Sequence, residues 1–235
     1  PEGTEVKLTL LRGGHGEPEG VVGLERQGKF VDLTIVRAAV DIPIIETKIL
    51  DDDIGYVWLR LFHKQAGSKL QAGLEELLDK HIRGLVLDLS INGGGLLEQA
   101  ISVCNLFLDK QTVVYVQERN GEPQPYQTMP GTVIPEDLPI VILIDGSSAS
   151  ASEIVAAALQ DMGRAKVVGQ NSFGKSKVQT VMALNDHSAL VLSTALYLTP
   201  NKRDLSQEYE DGKRGIKPDV VFPPLEFAED EQRSR

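Results

Sequence analysis

Two short runs in this chain, GLVLDL from Gly84 and IVILID from Ile140, are almost wholly apolar, and each leads through a loop into a helix-period pattern. A strand that is apolar at every position has both faces covered, as happens when crossover helices lie above and below a sheet. A half-exposed strand would alternate instead. Strand and helix signals interleave around these two runs. IGYVWLRLF, from Ile54, is rich in β-branched and aromatic residues and predicts a strand. Leu70, Leu74, Leu77, Leu78 and Ile82 recur at helical spacing, with Gly84 as the stop. After GLVLDL come the loop SINGGG and a second helix over 96–108, then the strand TVVYVQ and Pro- and Gly-rich punctuation over 120–139. IVILID runs into a serine-rich turn and a third helix over 152–162, stopped by Gly163. AKVVG is a further strand, and VQTVMAL and SALVLSTALYL form a hairpin across NDH. Such alternation predicts an α/β core.

The N-terminal part reads differently. VKLTLLR (Val6 to Arg12) and FVDLTIVRA (Phe30 to Ala38) are two strands joined by a long connection containing GGHGEPEG. The polar, acidic tail is expected to fray. No initiator methionine and no charged-then-apolar leader open the sequence, which reads as a mature chain or an excised segment. With 235 residues and 41% apolar content the chain suits one sizeable domain, or one domain plus part of another. The 34 acidic residues against 24 basic ones, a net charge of −10, argue against nucleic acid as a partner. One cysteine excludes a disulfide framework and a multi-cysteine zinc site. No apolar run is long enough to span a bilayer. Cys104, in the apolar stretch AISVCNLFL without a basic neighbour, reads as a core thiol, and Tyr56 and Trp58 as core or strand-face residues.

Three segments offer chemistry. In GSSASASEIVAAALQDMGRA, from Gly146, a buried strand ends in a tight turn and a small-residue helix begins. Such a turn sets a hydroxyl beside unpaired backbone N–H groups, where a forming oxyanion is stabilised. Helix capping accounts for these serines equally well: Ser150 and Glu153 fit a capping box, and Ser152 is another candidate cap. Composition leaves Ser147, Ser148, Ser150 and Ser152 open. A serine nucleophile needs a base, and none of His15, His63, His81 and His187 has a distinctive neighbourhood. The other candidates lie in NSFGKSKVQT, where Lys175, Lys177 and Gln179 would share one face of a strand. A lysine is a base only when neutral, and poising an amine of reference pKa about 10.4 near pH 7 takes about 4 kcal/mol, which burial can supply. A solvated strand face is the plain alternative. The third segment, LDLSINGGGLLEQA from Leu87, allows close backbone approach and fits neither GxGxxG nor a P-loop; a plain turn is its default.

Taken together, SASASEIVAAALQD, FGKSKVQ and NGGGLL resemble the C-terminal processing peptidases, or tail-specific proteases. IGYVWLRLF, RGLVLDL, RAKVVG, LYLTP and GIKPDVV extend the likeness over about Val31 to Val221. The resemblance implies a ClpP/crotonase-like core of alternating strands and helices over residues 39–235. It implies a partial β-rich PDZ remnant over residues 1–38. By position in the motifs it assigns Ser150 as nucleophile, Lys175 as base and Gln179 as its support. The backbone N–H groups of Ala151 and Gly95 become the oxyanion donors. In some members an aspartate at the place of Asp161 matters; here Asp161 is equally placed to pair with Arg164 or to sit exposed at the helix end. Two departures stand out. Ser176 occupies a position that is usually glycine, and would carry strain if its backbone took a positive φ. The loop begins Ser90-Ile91-Asn92 where the family commonly has Arg-Asn-Asn.

The function implied is that of a serine endopeptidase cutting proteins near their C-terminus, with no metal or organic cofactor. Protein or peptide substrates would bind through their C-terminal region, adding in extended form to a sheet edge. The resemblance leaves an adaptor protein and a homo-oligomer open. It implies an extracytoplasmic location, in the bacterial periplasm or cell envelope, with the thylakoid lumen as alternative. Two other readings compete: a catalytically inactive peptide-binding scaffold, and a crotonase-like acyl-CoA enzyme whose oxyanion hole is the glycine loop. The second leaves SASASEI and FGK without a role.

Overall fold

The computed structural model describes residues 2–12, 29–38, 43–186 and 188–222. His15, His187, the GGHGEPEG connection and the end of the acidic tail lie outside them. The chain divides into two units, Pro1–Ile42 and Pro43–Arg235. In the first, β1 (Glu5–Arg12) pairs antiparallel with β2 (Lys29–Val36), Glu5 opposite Val36 and Leu8 opposite Leu33.

The second unit runs β3 (Ile45–Leu50), β4 (Ile54–Leu59), α1 (Ala66–Leu78), β5 (Gly84–Asp88), α2 (Leu97–Cys104), β6 (Thr112–Glu118) and β7 (Gln124–Gln127). It continues with β8 (Ile140–Ile144), α3 (Ala151–Asp161), β9 (Lys166–Gly169), β10 (Lys177–Ala183), β11 (Ala189–Leu198) and β12 (Val220–Val221). Six strands form one sheet in the order β12-β9-β8-β5-β4-β3, parallel except for the β3–β4 pair. A second, antiparallel sheet has the order β10-β11-β6-β7. The α/β prediction holds, and its reason is visible in β5 and β8. Leu85, Leu87, Ile140 and Ile142 are buried on one face in the middle of the sheet, and Val86, Val141 and Leu143 are partly buried on the other, so the second face is covered less completely than the apolar runs predict.

Boundaries shift from the sequence expectation in four places. The helix of the Leu70 series ends at Leu78, so Gly84 does not close it but opens β5; Ile82 is buried beyond the helix end. The second helix stops at Cys104, and Leu106, Phe107 and Leu108 reach the core from turns. The punctuated stretch 120–139 contains β7, and β3 lies in a segment without a strand signal strong enough to predict it. Helix α3 is buried around its whole circumference, with every residue from Ala151 to Leu159 buried, most of them small and apolar. It meets β9, β6 and α2, so no face is left for water. Cys104 is fully buried and burial pushes its thiol pKa up, as expected of a core residue.

Candidate active site

The three chemistry-bearing segments leave the same end of the six-stranded sheet. The glycine loop follows β5, the serine turn follows β8 and the Lys175 segment follows β9, and these three strands are parallel neighbours. Loops at the carboxyl ends of adjacent parallel strands open side by side. Hydrogen bonds then join them. Ser148 Oγ donates to the Leu89 carbonyl at 2.7 Å, Ser152 Oγ to the Asn92 carbonyl at 2.8 Å, and Ala149 N–H to that same carbonyl at 3.1 Å. Phe173 N–H donates to the Ser148 carbonyl at 3.0 Å. Asn92, fully buried, donates from Nδ2 to the Leu59 carbonyl and accepts Gly94 N–H at Oδ1.

These bonds sort the serines that composition left open. The hydroxyls of Ser148 and Ser152 are buried and spent on the glycine loop. Ser147 is exposed. Ser150 lines a cavity, and its backbone is held at φ 57°, ψ −115°, outside the regions a non-glycine residue favours. Such strain costs about 1–3 kcal/mol and persists only where surrounding structure enforces it.

The cavity, of about 310 Å³, is lined by Gly95, Ser150, Ala151, Lys175, Lys177 and Gln179 together with Tyr197 and a few apolar neighbours. Six residues named from sequence thus face one hollow. No hydrogen bond joins the Ser150 hydroxyl to the Lys175 amine among the described residues. Ala151 is the first residue of α3, so its N–H has no partner within the helix. Neither that N–H nor Gly95 N–H finds an acceptor among the described residues. Gly94, at φ +99°, brings the two together: a Cβ there would lie 2.8 Å from Ala151 N and 2.6 Å from the Ala149 carbonyl oxygen. Of the histidines, His63 is exposed and His81 follows α1; neither lines the cavity.

The lysine segment departs from simple strand alternation. β10 begins only at Lys177 and carries a bulge between Val178 and Gln179; Lys175, Lys177 and Gln179 all line the cavity, as their shared face predicts, and the bulge lets Val178 join them. The positive φ in this segment falls on Gly174 (φ +83°), not on Ser176. Ser176 therefore carries no such strain. It is buried, its Oγ accepts Ser206 N–H at 2.9 Å and its carbonyl accepts Tyr197 N–H at 2.8 Å.

Two residues near the site were not read from sequence as part of it. The Tyr197 hydroxyl donates to the Lys175 carbonyl. Burial pushes its pKa up, and the neighbouring Ser150 hydroxyl draws it partly back. Its only sequence signal is its place in LYLTP, near the end of a strand that reads as ordinary. Tyr197→Phe is expected to lower stability by about 1–2 kcal/mol, because a part-buried carbonyl loses its donor; a denaturant midpoint measures this. The second is Glu153, fully buried at the start of α3. It accepts Ser150 N–H at 2.8 Å, the reciprocal bond of a capping box.

Asp161 pairs with neither Arg164 nor solvent. Its side chain is 4% exposed, bonds Arg203 at 2.5 Å and accepts Asn201 N–H at 3.0 Å, so it fixes the turn that follows Tyr197 and β11. Arg164 instead donates to the Leu138 and Pro135 carbonyls. Asp161→Ala leaves both donors without an acceptor and is expected to cost about 1–3 kcal/mol, measured by chemical denaturation.

The comparisons identify the family. The profile described as peptidase family S41 matches residues 53–222. A carboxy-terminal-processing protease of Bartonella bacilliformis is 39% identical over 226 residues, which is 94% of this chain and 48% of that protein. A chloroplastic carboxyl-terminal-processing peptidase of Arabidopsis thaliana is 36% identical over 93% of this chain and 41% of its own length. Among solved structures, the photosystem II D1 C-terminal processing protease superposes with a TM-score of 0.69 at 29% identity, over 83% of this chain and 52% of that one. The chain spans about half the length of the curated relatives it matches. With its S41 profile match, its curated relatives and three loops gathered at one sheet end, this chain belongs to peptidase family S41.

Proposed function

We propose that the chain is the cutting core of a C-terminal processing protease working through a serine–lysine mechanism. The observation that carries this reading is the single cavity lined by a strained serine, a lysine, a glutamine and two unengaged N–H groups. Substrate draws the Lys175 amine into reach of the Ser150 hydroxyl; catalytic hydrogen bonds of this kind often tighten only in the complex. Neutral Lys175 then takes the Ser150 proton as Oγ bonds to the scissile carbonyl carbon. The oxyanion lies against the N–H groups of Ala151 and Gly95. Collapse breaks the C–N bond, and Lys175 returns its proton to the leaving amine. Water, deprotonated by Lys175, releases the acyl group and restores Ser150. Gln179 orients the amine without adding charge.

The substrate is a protein entered near its C-terminus. β10 is the outer strand of its sheet and begins beside the cavity, which suits an extended chain pairing along its open edge. Residues 1–38 are the end of a PDZ domain in this reading; Leu8, Leu10, Phe30 and Ile35 are exposed on its two strands, more apolar surface than a lone ribbon sustains. The location is extracytoplasmic, by analogy with bacterial and chloroplastic relatives. No helix among the described residues is long and apolar enough to cross a membrane.

The test is a fluorophosphonate probe with peptide mapping, alongside cleavage of a peptide ending in apolar residues. Labelling at Ser150 together with turnover supports the reading. Peptide binding with no labelling and no turnover would overturn it in favour of a scaffold.

A further inference from the structure

We propose that Glu153 is a positioning residue of the peptidase reaction, its carboxylate holding the nucleophile turn and the base segment in one register. The inference rests on the Ser150–Lys175 reading above and adds a residue to it. A helix cap needs one bond from this side chain, the one to Ser150 N–H. Glu153 makes three more, all to the segment that carries the base. Oε1 accepts Ser172 Oγ at 2.6 Å and Gly174 N–H at 2.6 Å; Oε2 accepts Lys175 N–H at 3.0 Å beside Ser150 N–H at 2.8 Å. One oxygen therefore bridges the backbone nitrogens of the proposed nucleophile and base.

The site is built for that bridge. Glu153 is fully buried, and among the described residues no lysine or arginine forms an ion pair with it. Burial raises its pKa while the four donors pull the other way. A buried carboxylate without a cation is tolerable only while its donors stay in place, so the group resists any drift of 172–175 away from the start of α3. Displacements near 1 Å in a reacting pair cost about 100-fold in rate.

Glu153→Gln tests this, because the amide cannot satisfy both sets of donors. Whichever way it turns, its NH₂ faces a backbone N–H of Ser150 and Lys175 or of Gly174. In full-length protein, kcat per fluorophosphonate-titrated site is expected to fall about 100-fold, with KM within about threefold. The labelling rate constant should fall in parallel. A merely structural role predicts fewer titratable sites, each with unchanged kcat, and that result would overturn the proposal. If Glu153→Gln does not fold, Ser172→Ala removes one donor from Oε1 and leaves the backbone donors; kcat per site should drop at least about threefold, and an unchanged value again overturns it. Full cleavage by Ser150→Ala or Lys175→Ala protein would strike instead at the underlying assignment.

Discussion

Lys175→Ala protein is expected to cleave a tailed peptide at least about 10⁴-fold more slowly than wild type, and Ser150→Ala protein equally so. Removing either member of a nucleophile–base pair costs about as much as removing both, since each is useless alone. The lost activity should not come from unfolding. Lys175 is half-buried and its amine makes no ion pair among the described residues, while its backbone bonds to Glu153 and Tyr197 survive truncation of the side chain. Thermal midpoints within a few degrees of wild type, read by circular dichroism, would confirm that chemistry alone was removed. Near wild-type turnover by the Lys175→Ala protein would dispose of the dyad.

Gly94→Ala is expected to be the most damaging change outside that pair. At φ +99° a Cβ is disfavoured by about 1–2 kcal/mol before any contact is considered. The added atom would also press on the Ala149 carbonyl oxygen at 2.6 Å and on Ala151 N and Ser150 Cβ at 2.8 Å. These neighbours are backbone and a strained turn, and cannot swing aside as a flexible side-chain tip would. Relief requires the glycine loop to move away from the start of α3, which separates the two N–H groups proposed to hold the oxyanion. A fall in kcat/KM of at least about 100-fold follows. Gly93→Ala is the matched control: a Cβ there meets nothing within 4 Å and the backbone is not at positive φ, so activity and stability should barely change. Equal damage from both alanines would refute the steric account.

What could be read ahead from the amino acids was whatever depends on short range. β5 and β8 announce themselves through unbroken apolar runs, and α3 through its small, uniformly buried residues closed by Gly163. β3 was missed because IETKIL is exposed over most of its length and carries no burial pattern to detect. β7 was missed because QPYQ, exposed throughout, owes its pairing to β6. The site divides in the same way. Ser150 with Glu153 was visible as a local cap, yet the bonds from Ser172, Gly174 and Lys175 to that carboxylate span the length of α3 and β9. Only the folded sheet makes those partners neighbours. Tyr197 was hidden for the same reason, and Asp161 chose Arg203, far along the chain, over the nearby Arg164 that sequence proximity suggested.

The placement of the three loops on neighbouring parallel strands has a bearing on how such a chain is made. Parallel pairing cannot be closed by a tight turn; every ladder waits for a crossover to be threaded first. During synthesis the hydroxyl-bearing turn leaves the ribosome well before the amine-bearing segment, and β9 must dock on β8 before the two can share a cavity. If the proposed assignment holds, a nascent chain is without its cutting centre until the strand after α3 has joined the sheet, and its own unfolded length is spared.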